Sequence, residues 1–222
     1  MKVVIIGAGG HARVVYEILK HEKNIEIAAF VDIVKHGSGE KILGVPLRGD
    51  HSVLPQLLKN GVAGAIIAVG NNKIRTGHFK ELENMGFELI NAIHPTAHIA
   101  GNIKIGKGVV IGAGAIIATC AEIGNNVIVN TGAVVEHECV IEDNVHIAPG
   151  TILAGRVTVK KGAFVGAGSV VKEYVTIGEN VTIGAGSVVL EDILPNAVAV
   201  GSPARIVKMC GEAKSGKRKK KH

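Results

Sequence analysis

The segment NTGAVVEHECVI, residues 130–141, places a histidine between two glutamates inside an otherwise apolar stretch. Polar groups in such a stretch are costly unless they are paired or used. An imidazole titrates near neutral pH, and an adjacent carboxylate can orient it and raise its basicity. His137, helped by Glu136 or Glu138, could therefore take a proton from an attacking amine or hydroxyl. A plain surface histidine is the other interpretation of His137, and of His146 nine residues later.

A six-residue repeat positions this segment. The repeated positions are Ile, Val or Leu sixteen times without a break: Ile99, Ile105, Ile111, Ile117, Ile123, Val129, Val135, Ile141, Ile147, Leu153, Val159, Val165, Val171, Ile177, Ile183 and Val189. Short strands at this period, three to a triangular coil, predict a parallel β-helix. Hexapeptide repeats of this kind coil left-handed, against the usual crossover preference. In this register Val135 and Cys139 face inward, so the charged triplet between them lies at a corner and does not disturb the core.

Zinc chemistry is another use that a β-helix can make of histidines. The γ-class carbonic anhydrases resemble this chain in fold and hold zinc between subunits with a pair of histidines five residues apart. The residues five positions after His137 and His146 are Glu142 and Thr151, so that pair is missing. We therefore expect no catalytic metal.

The residues before the repeat predict a Rossmann-like half, because three apolar strand patterns alternate with three helical ones as βαβαβα. Gly7, Gly9 and Ala12 fit G-x-G-x-x-A after the first strand, and Asp32 ends the second. Such a loop holds phosphate on backbone amides, and the acid holds a ribose hydroxyl, which would suit an NAD(P)-dependent oxidoreductase. Only one mononucleotide-sized half is present, however, and a phosphate loop has no need of the bulky ring of His11. A nucleotide therefore fits better than a dinucleotide.

These patterns divide the chain into three parts. We expect a nucleotide-binding α/β domain over residues 1–92, a β-helix domain with a C-terminal cap over 93–208, and a disordered basic tail over 209–222. The tail carries +5 of the formal net charge of +6. The rest of the chain is therefore nearly neutral, which argues against a nucleic-acid-binding surface and leaves anionic lipid or an acidic partner as the alternative for the tail.

The cellular compartment is indicated by the cysteines and by the apolar runs. Cys120, Cys139 and Cys210 form neither a CxxC motif nor an even framework, as expected of structural thiols in a reducing cytoplasm. The apolar run at the N-terminus is too short for a signal peptide, and no uncharged run reaches the roughly 18 residues of a membrane span. We expect a cytoplasmic protein without a transmembrane segment.

Six motifs together resemble one bacterial family over nearly the whole chain: GAGGHARV, FVD, AVGNNKIR, IHPTA, NTGAVVEHECVIEDNVHIAPG and GSPARIV. This hexapeptide-repeat sugar acyltransferase family includes the bacillosamine-pathway UDP-amino-sugar N-acetyltransferases and the sialic acid O-acetyltransferases. The resemblance implies an enzyme for glycan or surface-polysaccharide biosynthesis that acetylates the amino group of a nucleotide-linked sugar, of the UDP-4-amino-sugar type. It also implies acetyl-CoA as co-substrate, no metal, and a homotrimer with active sites between subunits.

The resemblance also assigns roles to particular residues. It makes His137 the general base and Glu138 its tuning partner. The residues expected to contact the nucleotide-sugar are Gly9, Gly10, His11, Asp32, Ile33 and Gly70. Those expected at acetyl-CoA are Asn130, His146, Gly155 and Ala167. Our own hypothesis for the mechanism is direct transfer, with His146 or the Gly155 amide as donor to the developing oxyanion.

Some choices stay open on the sequence. The bacillosamine enzymes can carry a second acid where this chain has Ile33, so the nucleotide carrier, UDP or GDP, is not decided. A sugar hydroxyl could replace the amine as acceptor, since the same base serves both. A nucleotide-sugar sensor without catalysis is the third alternative, which the complete EHE triplet disfavours.

Overall fold

The computed structural model describes residues 1–32 and 39–210, and it shows a Rossmann-like domain followed by a left-handed parallel β-helix. The elements of the first domain are β1 (Lys2–Ile6), α1 (Gly10–Leu19), β2 (Glu26–Val31), β3 (Lys41–Ile42), β4 (Val45–Pro46), a 3-10 helix (His51–Val53), α2 (Leu54–Lys59), β5 (Val62–Ile67), α3 (Asn72–Met85) and β6 (Glu88–Leu89). The predicted fold class is therefore confirmed for both parts of the chain.

The first domain is built on one parallel sheet with the strand order β2-β1-β5-β6. The four residues of β1 from Val3 to Ile6 are completely buried, as expected of a central strand covered on both faces. The segment after α3 adds a short fourth strand, β6, to the three that the sequence predicts. It does so because Leu89 is buried beside its partner Ala65 on β5.

Seventeen two-residue strands form the β-helix. They are β7 (Ala92–Ile93), β8 (His98–Ile99), β9 (Lys104–Ile105), β10 (Val110–Ile111), β11 (Ile116–Ile117), β12 (Glu122–Ile123), β13 (Ile128–Val129), β14 (Val134–Val135), β15 (Val140–Ile141), β16 (His146–Ile147), β17 (Ile152–Leu153), β18 (Thr158–Val159), β19 (Phe164–Val165), β20 (Val170–Val171), β21 (Thr176–Ile177), β22 (Thr182–Ile183) and β23 (Val188–Val189).

Every third strand stacks on the same face, so the β-helix has three faces and an 18-residue coil. The first face contains β7 to β22 in steps of three, the second face β8 to β23, and the third face β9 to β21. The second residue of each strand is the predicted repeat position. From Ile111 onward these side chains are at most 3% exposed and form a single core with Cys139, which is also fully buried.

The three corners differ in the residue that adopts the left-handed backbone conformation. The first corner, between the first and second faces, uses glycine: Gly114, Gly132, Gly150, Gly168 and Gly186. The third corner, between the third and first faces, uses glycine or asparagine: Gly108, Asn126, Asn144, Gly162 and Asn180. The second corner, between the second and third faces, uses Asn102, Cys120, Glu138, Arg156 and Tyr174. A left-handed conformation costs ordinary L-residues about 1–2 kcal/mol, so strain is concentrated at the second corner.

The two domains share a hydrophobic core. The outward side chains of Ala92, Val110 and Ile128 on the first face are almost fully buried against β1 and α1. The first face is therefore closed by the Rossmann-like domain, whereas the second face has no cover within the described chain.

The β-helix ends in a hairpin of β24 (Ala197–Gly201) and β25 (Ala204–Met209), which extends the first face. The closing segment was predicted as a cap. Met209, which the sequence placed in the tail, is the last residue of β25. Residues 211–222 of the predicted tail lie outside the described residues. No helix in the described ranges is long and apolar enough to cross a membrane.

Candidate active site

A cavity of about 390 Å³ opens at the carboxyl ends of β1, β2 and β5. It is lined by five of the residues predicted to contact the nucleotide-sugar: Gly9, Gly10, His11, Asp32 and Gly70. Ligands of open parallel sheets bind at this edge, and the N-terminus of α1 directs backbone N–H groups toward it. The structure thus gathers this predicted set around one cavity. The sixth residue, Ile33, lies outside the described residues.

The first glycine of the loop is required by its surroundings. Gly7 has a φ of 114°, and a Cβ there would lie 2.9 Å from the carbonyl oxygen of Ala68. Any side chain would therefore be strained and would push the β1–α1 loop away from β5.

His146 joins this cavity to the β-helix. It stands on the first face, but the Rossmann-like domain covers it to 8% exposure. Its Nδ1 lies 3.1 Å from the Gly70 carbonyl oxygen, and its Nε2 lies 3.3 Å from the Asn130 amide nitrogen. Since a carbonyl only accepts, Nδ1 carries the proton and Nε2 accepts from Asn130. His146 and Asn130, both predicted at acetyl-CoA, are thus brought together beside Gly70.

Burial keeps two histidines neutral next to the cavity. Desolvation lowers the pKa of His146 to about 4, opposed by its hydrogen bond to Gly70 and reinforced by the nearby Arg75 cation. The pKa of His11 is also lowered to about 4, first by desolvation and then by Arg75. The two rings stack with centroids 6.4 Å apart. At neutral pH this pair adds no charge to the nucleotide cavity.

Arg75 is a buried cation that the sequence reasoning missed. Its guanidinium donates to backbone carbonyls of both domains, among them Gly70 at 3.2 Å, Asn126 at 3.1 Å and Asn144 at 2.9 Å. Burial lowers the pKa of Arg75 to about 10, which leaves it charged at neutral pH. It therefore fixes α3 and the Gly70 loop on the third corner of the β-helix.

The EHE triplet lies at the second corner, as predicted. His137 Nδ1 is 3.3 Å from Glu138 Oε2, and the backbone N–H of His137 donates to Glu136 Oε2 at 3.2 Å. The His137 side chain is half exposed. The left-handed turn at Glu138, with φ of 59°, allows two adjacent side chains to meet, which a regular strand would not. With Nδ1–H directed at Glu138, the Nε2 lone pair is free to accept a proton.

Gly155 lies under the imidazole, one coil further along the β-helix. A Cβ at this position would be 2.5 Å from His137 Nε2 and 2.6 Å from Cε1, well inside van der Waals contact. The absence of a side chain therefore makes the space that the imidazole occupies. The structure brings Gly155, predicted at acetyl-CoA, next to the predicted base.

Arg156 holds the glutamate and is itself bonded to Tyr174, and the sequence reasoning missed both residues. Arg156 Nε donates to Glu138 Oε2 at 2.5 Å, and its Nη1 donates to the Tyr174 hydroxyl at 2.7 Å. The arginine is the first cause, and His137 the second, of a lowered pKa at Glu138. Glu138, Arg156 and Tyr174 are 18 residues apart, so the period of one coil was the signal that would have found them.

The predicted residues thus form two groups at different corners of the β-helix. The base, its partner and Gly155 stand at the second corner, whereas Asn130 and Ala167 stand at the first corner. The two corners flank the second face of the β-helix. In one chain the predicted base therefore does not line the cavity that gathers the residues predicted to contact the nucleotide-sugar.

Family models match both domains of the chain. The PglD N-terminal domain matches residues 2–82, and the bacterial transferase hexapeptide (six repeats) matches residues 120–155 and 156–191. Together these matches cover more than half of the 222 residues.

Solved structures are similar over almost the full length. A GDP-perosamine N-acetyltransferase from Caulobacter crescentus, in complex with CoA and GDP-perosamine, is 40% identical, with a TM-score of 0.88 over 93% of this chain and 96% of that one. The acetyltransferase domain of PglB from Neisseria gonorrhoeae, in complex with acetyl coenzyme A, is 32% identical, with a TM-score of 0.85 over 93% of this chain and 98% of that one.

A curated relative, the UDP-N-acetylbacillosamine N-acetyltransferase of Bacillus subtilis, is 37% identical over 114 residues. That match covers 49% of this chain, which spans about half the length of this relative. The resemblance carried by the six motifs is confirmed by these matches. The chain belongs to the hexapeptide-repeat family of acetyl-CoA-dependent sugar acyltransferases that carry a PglD-type N-terminal domain.

Proposed function

We propose that the protein transfers the acetyl group of acetyl-CoA to the amino group of a nucleotide-linked amino sugar. The observation that carries this proposal is the second corner, where a glutamate orients His137 and Gly155 leaves room for its ring. Two of the relatives named above, the GDP-perosamine and the UDP-N-acetylbacillosamine enzymes, are described as N-acetyltransferases, which supports the amine as acceptor.

The reaction needs one base and no covalent enzyme intermediate. Nε2 of His137 accepts the proton that the sugar amine loses as its nitrogen attacks the thioester carbonyl carbon. The negative charge then develops on the carbonyl oxygen, where the backbone N–H of Gly155 is our candidate donor. The C–S bond breaks, and the CoA sulfur leaves as a thiol once it has received a proton from His137. Glu138 holds the imidazole in the required tautomer and stabilises its charged form.

Cys139 supports this direct transfer. It is completely buried, and desolvation raises its pKa to about 11, so it does not supply a thiolate nucleophile at neutral pH.

We place the complete active site between copies of the chain in a homotrimer. The second face carries an exposed apolar stripe with Ile116, Ile152 and Val170 each about 40% exposed. A contiguous apolar surface of this kind is typical of an interaction site. A second copy on this face would contact both flanking corners. The His137 corner of one copy could then complete the site of its neighbour, which one chain alone does not form.

Amino sugars linked to either UDP or GDP are substrates to be tested. The sequence motifs favour a UDP-linked 4-amino sugar, as does the curated relative, whereas the full-length solved relative binds GDP-perosamine. We propose a role in glycan or surface-polysaccharide biosynthesis in the cytoplasm, where the three unpaired cysteines would stay reduced.

The test is a panel of UDP- and GDP-linked sugars with acetyl-CoA, followed by the release of free thiol. Each amino sugar is paired with the analogue that has a hydroxyl in its place. Turnover with one amino sugar and at least a hundredfold less with its hydroxyl analogue is the expected result. Turnover restricted to hydroxyl sugars would show an O-acetyltransferase, and tight NAD(H) binding without turnover would show an oxidoreductase.

The shared site has its own test. A His137→Ala variant and an Asp32→Ala variant, each inactive alone, are mixed under conditions that allow subunits to exchange. If neighbouring copies complete each other's sites, the mixed oligomers recover part of the activity. No recovery, despite demonstrated exchange, would place each site within one chain.

A further inference from the structure

Two histidines and a glutamate form a cluster at the wall of the nucleotide cavity. His51 belongs to the 3-10 helix, and His78 and Glu81 stand one turn apart on α3. His78 lines the same cavity as Asp32 and is only 9% exposed. The cluster belongs to the first domain and lies apart from the proposed base, which stands at the second corner of the β-helix.

The three side chains converge on a small volume. Glu81 Oε2 lies 2.8 Å from His51 Nδ1 and 3.6 Å from His78 Nδ1. One ligand atom from each residue lies within 4.8 Å of the other two. A tetrahedral zinc ion with bonds of 2.0–2.1 Å separates its ligand atoms by about 3.3 Å, which falls between the two distances to the carboxylate oxygen.

Hydrogen bonding alone leaves this cluster poorly satisfied. The two rings are only 4.4 Å apart between centroids, so protonating both would place two cations together. The Glu81 oxygen is within hydrogen-bond distance of His51 but not of His78. A cation at the point of convergence would use the carboxylate oxygen and both Nδ1 lone pairs at once.

We propose that His51, His78 and Glu81 bind a divalent transition-metal ion, for which Zn²⁺ is the best match. Two imidazole nitrogens and one carboxylate oxygen suit zinc, whereas Mg²⁺ and Ca²⁺ require predominantly oxygen ligands. Three protein ligands leave one position of a tetrahedral ion for water or for an oxygen atom of a molecule in the cavity.

The ion would tie the 3-10 helix to α3 at the edge of the nucleotide cavity. The β3–β4 hairpin and the 3-10 helix connect β2 to α2, so the ion would fix this connection to the helix that Arg75 anchors on the β-helix. Metal binding requires neither acetyl-CoA nor a sugar, so its test is independent of the proposed function.

The experiment uses the untagged full-length chain, stripped of metal with a chelator. Zinc alone is added, and binding is followed by calorimetry and by metal analysis after gel filtration. We expect one ion per chain and a rise of several degrees in the unfolding midpoint at saturation. Co²⁺ in place of Zn²⁺ should give the intense visible absorption of a four-coordinate site.

Three variants assign the ion to the cluster. His78→Ala, His51→Ala and Glu81→Gln should each weaken zinc binding by at least 10- to 100-fold. The matched control is His21→Ala, because His21 pairs with another histidine, with ring centroids 6.4 Å apart, away from this cluster. It should bind zinc like the wild type. Folding of each variant is checked by its thermal transition without metal. His51 is partly exposed and lies outside α3, so His51→Ala should leave that helix folded.

The proposal would be overturned by the absence of stoichiometric binding to the wild type. It would also be overturned if folded His51→Ala and His21→Ala chains retained equal affinity, since the ion would then be held elsewhere.

Discussion

A methyl group at Gly155 should displace the imidazole of His137 without disturbing the fold. In Gly155→Ala the new Cβ would lie 2.5 Å from Nε2, so the ring must move by about 0.9 Å to reach ordinary van der Waals contact. The ring can move, because half of the His137 side chain is exposed to solvent. The β-helix core, which faces the other way, is not affected.

A misplacement of about 1 Å at a reacting group can cost about a hundredfold in rate, or about 2.7 kcal/mol of transition-state stabilisation. We therefore expect kcat for acetyl transfer to fall by about a hundredfold in Gly155→Ala. The unfolding midpoint should stay within a few degrees of that of the wild type. Steady-state kinetics with free-thiol detection measures the first quantity, and a thermal melt measures the second. The KM for acetyl-CoA shows whether the methyl group also blocks that substrate.

The matched control is Gly101→Ala. Gly101 occupies the same position at the second corner, three coils earlier, and a Cβ there would meet no atom within 4 Å. This variant should keep the kcat of the wild type. Full activity in Gly155→Ala, or an equal loss in Gly101→Ala, would refute the role assigned to the space beneath His137.

Three further predictions follow from buried or paired charges. Arg75→Ala should lower the free energy of unfolding by at least about 3 kcal/mol, because several buried carbonyl groups lose their donor. Lys73→Ala, on the exposed side of α3, should not lower it. Urea unfolding measures the free energy of both variants. The free energy of unfolding should also fall as the pH drops from about 6.5 toward 4, by about 2 kcal/mol at pH 5 for each of His11 and His146. The reason is that the unfolded chain takes up protons that the buried imidazoles do not. Equal free energies of unfolding at pH 8 and pH 5 would contradict this prediction. Arg156→Ala should reduce kcat about tenfold by freeing the glutamate beside the base, and Arg156→Lys should recover only part of it, because the planar fork is lost.

Much of this architecture follows from periodicity in the sequence. The sixteen aliphatic positions predicted the β-helix, its core and the outward corner position of His137, because a six-residue period allows one arrangement of strands and turns. The G-x-G-x-x-A loop likewise lies at the cavity of the first domain, where nucleotide binding stays a prediction. These patterns involve residues that are close together in the sequence, so they can be recognised before any tertiary contact is known.

Contacts between coils and between domains were harder to predict. Arg156 contacts Glu138, and Tyr174 contacts Arg156, only because coils stack every 18 residues. That spacing is informative only when the equivalent corner positions of successive coils are compared. The burial of His146 depends on the nucleotide-binding domain closing the first face. In the sequence alone, Arg75 looks like an ordinary helix residue, because its hydrogen bonds to the β-helix depend on how the two domains pack.

The proposed mechanism depends on His137 removing the proton from the acceptor amine. The most direct test is the kcat of His137→Ala with the best amino sugar of the panel, together with its oligomeric state and its affinity for CoA. We predict a loss of about 10²- to 10⁴-fold in kcat, with oligomer and CoA affinity unchanged. A kcat within twofold of the wild type would contradict the claim.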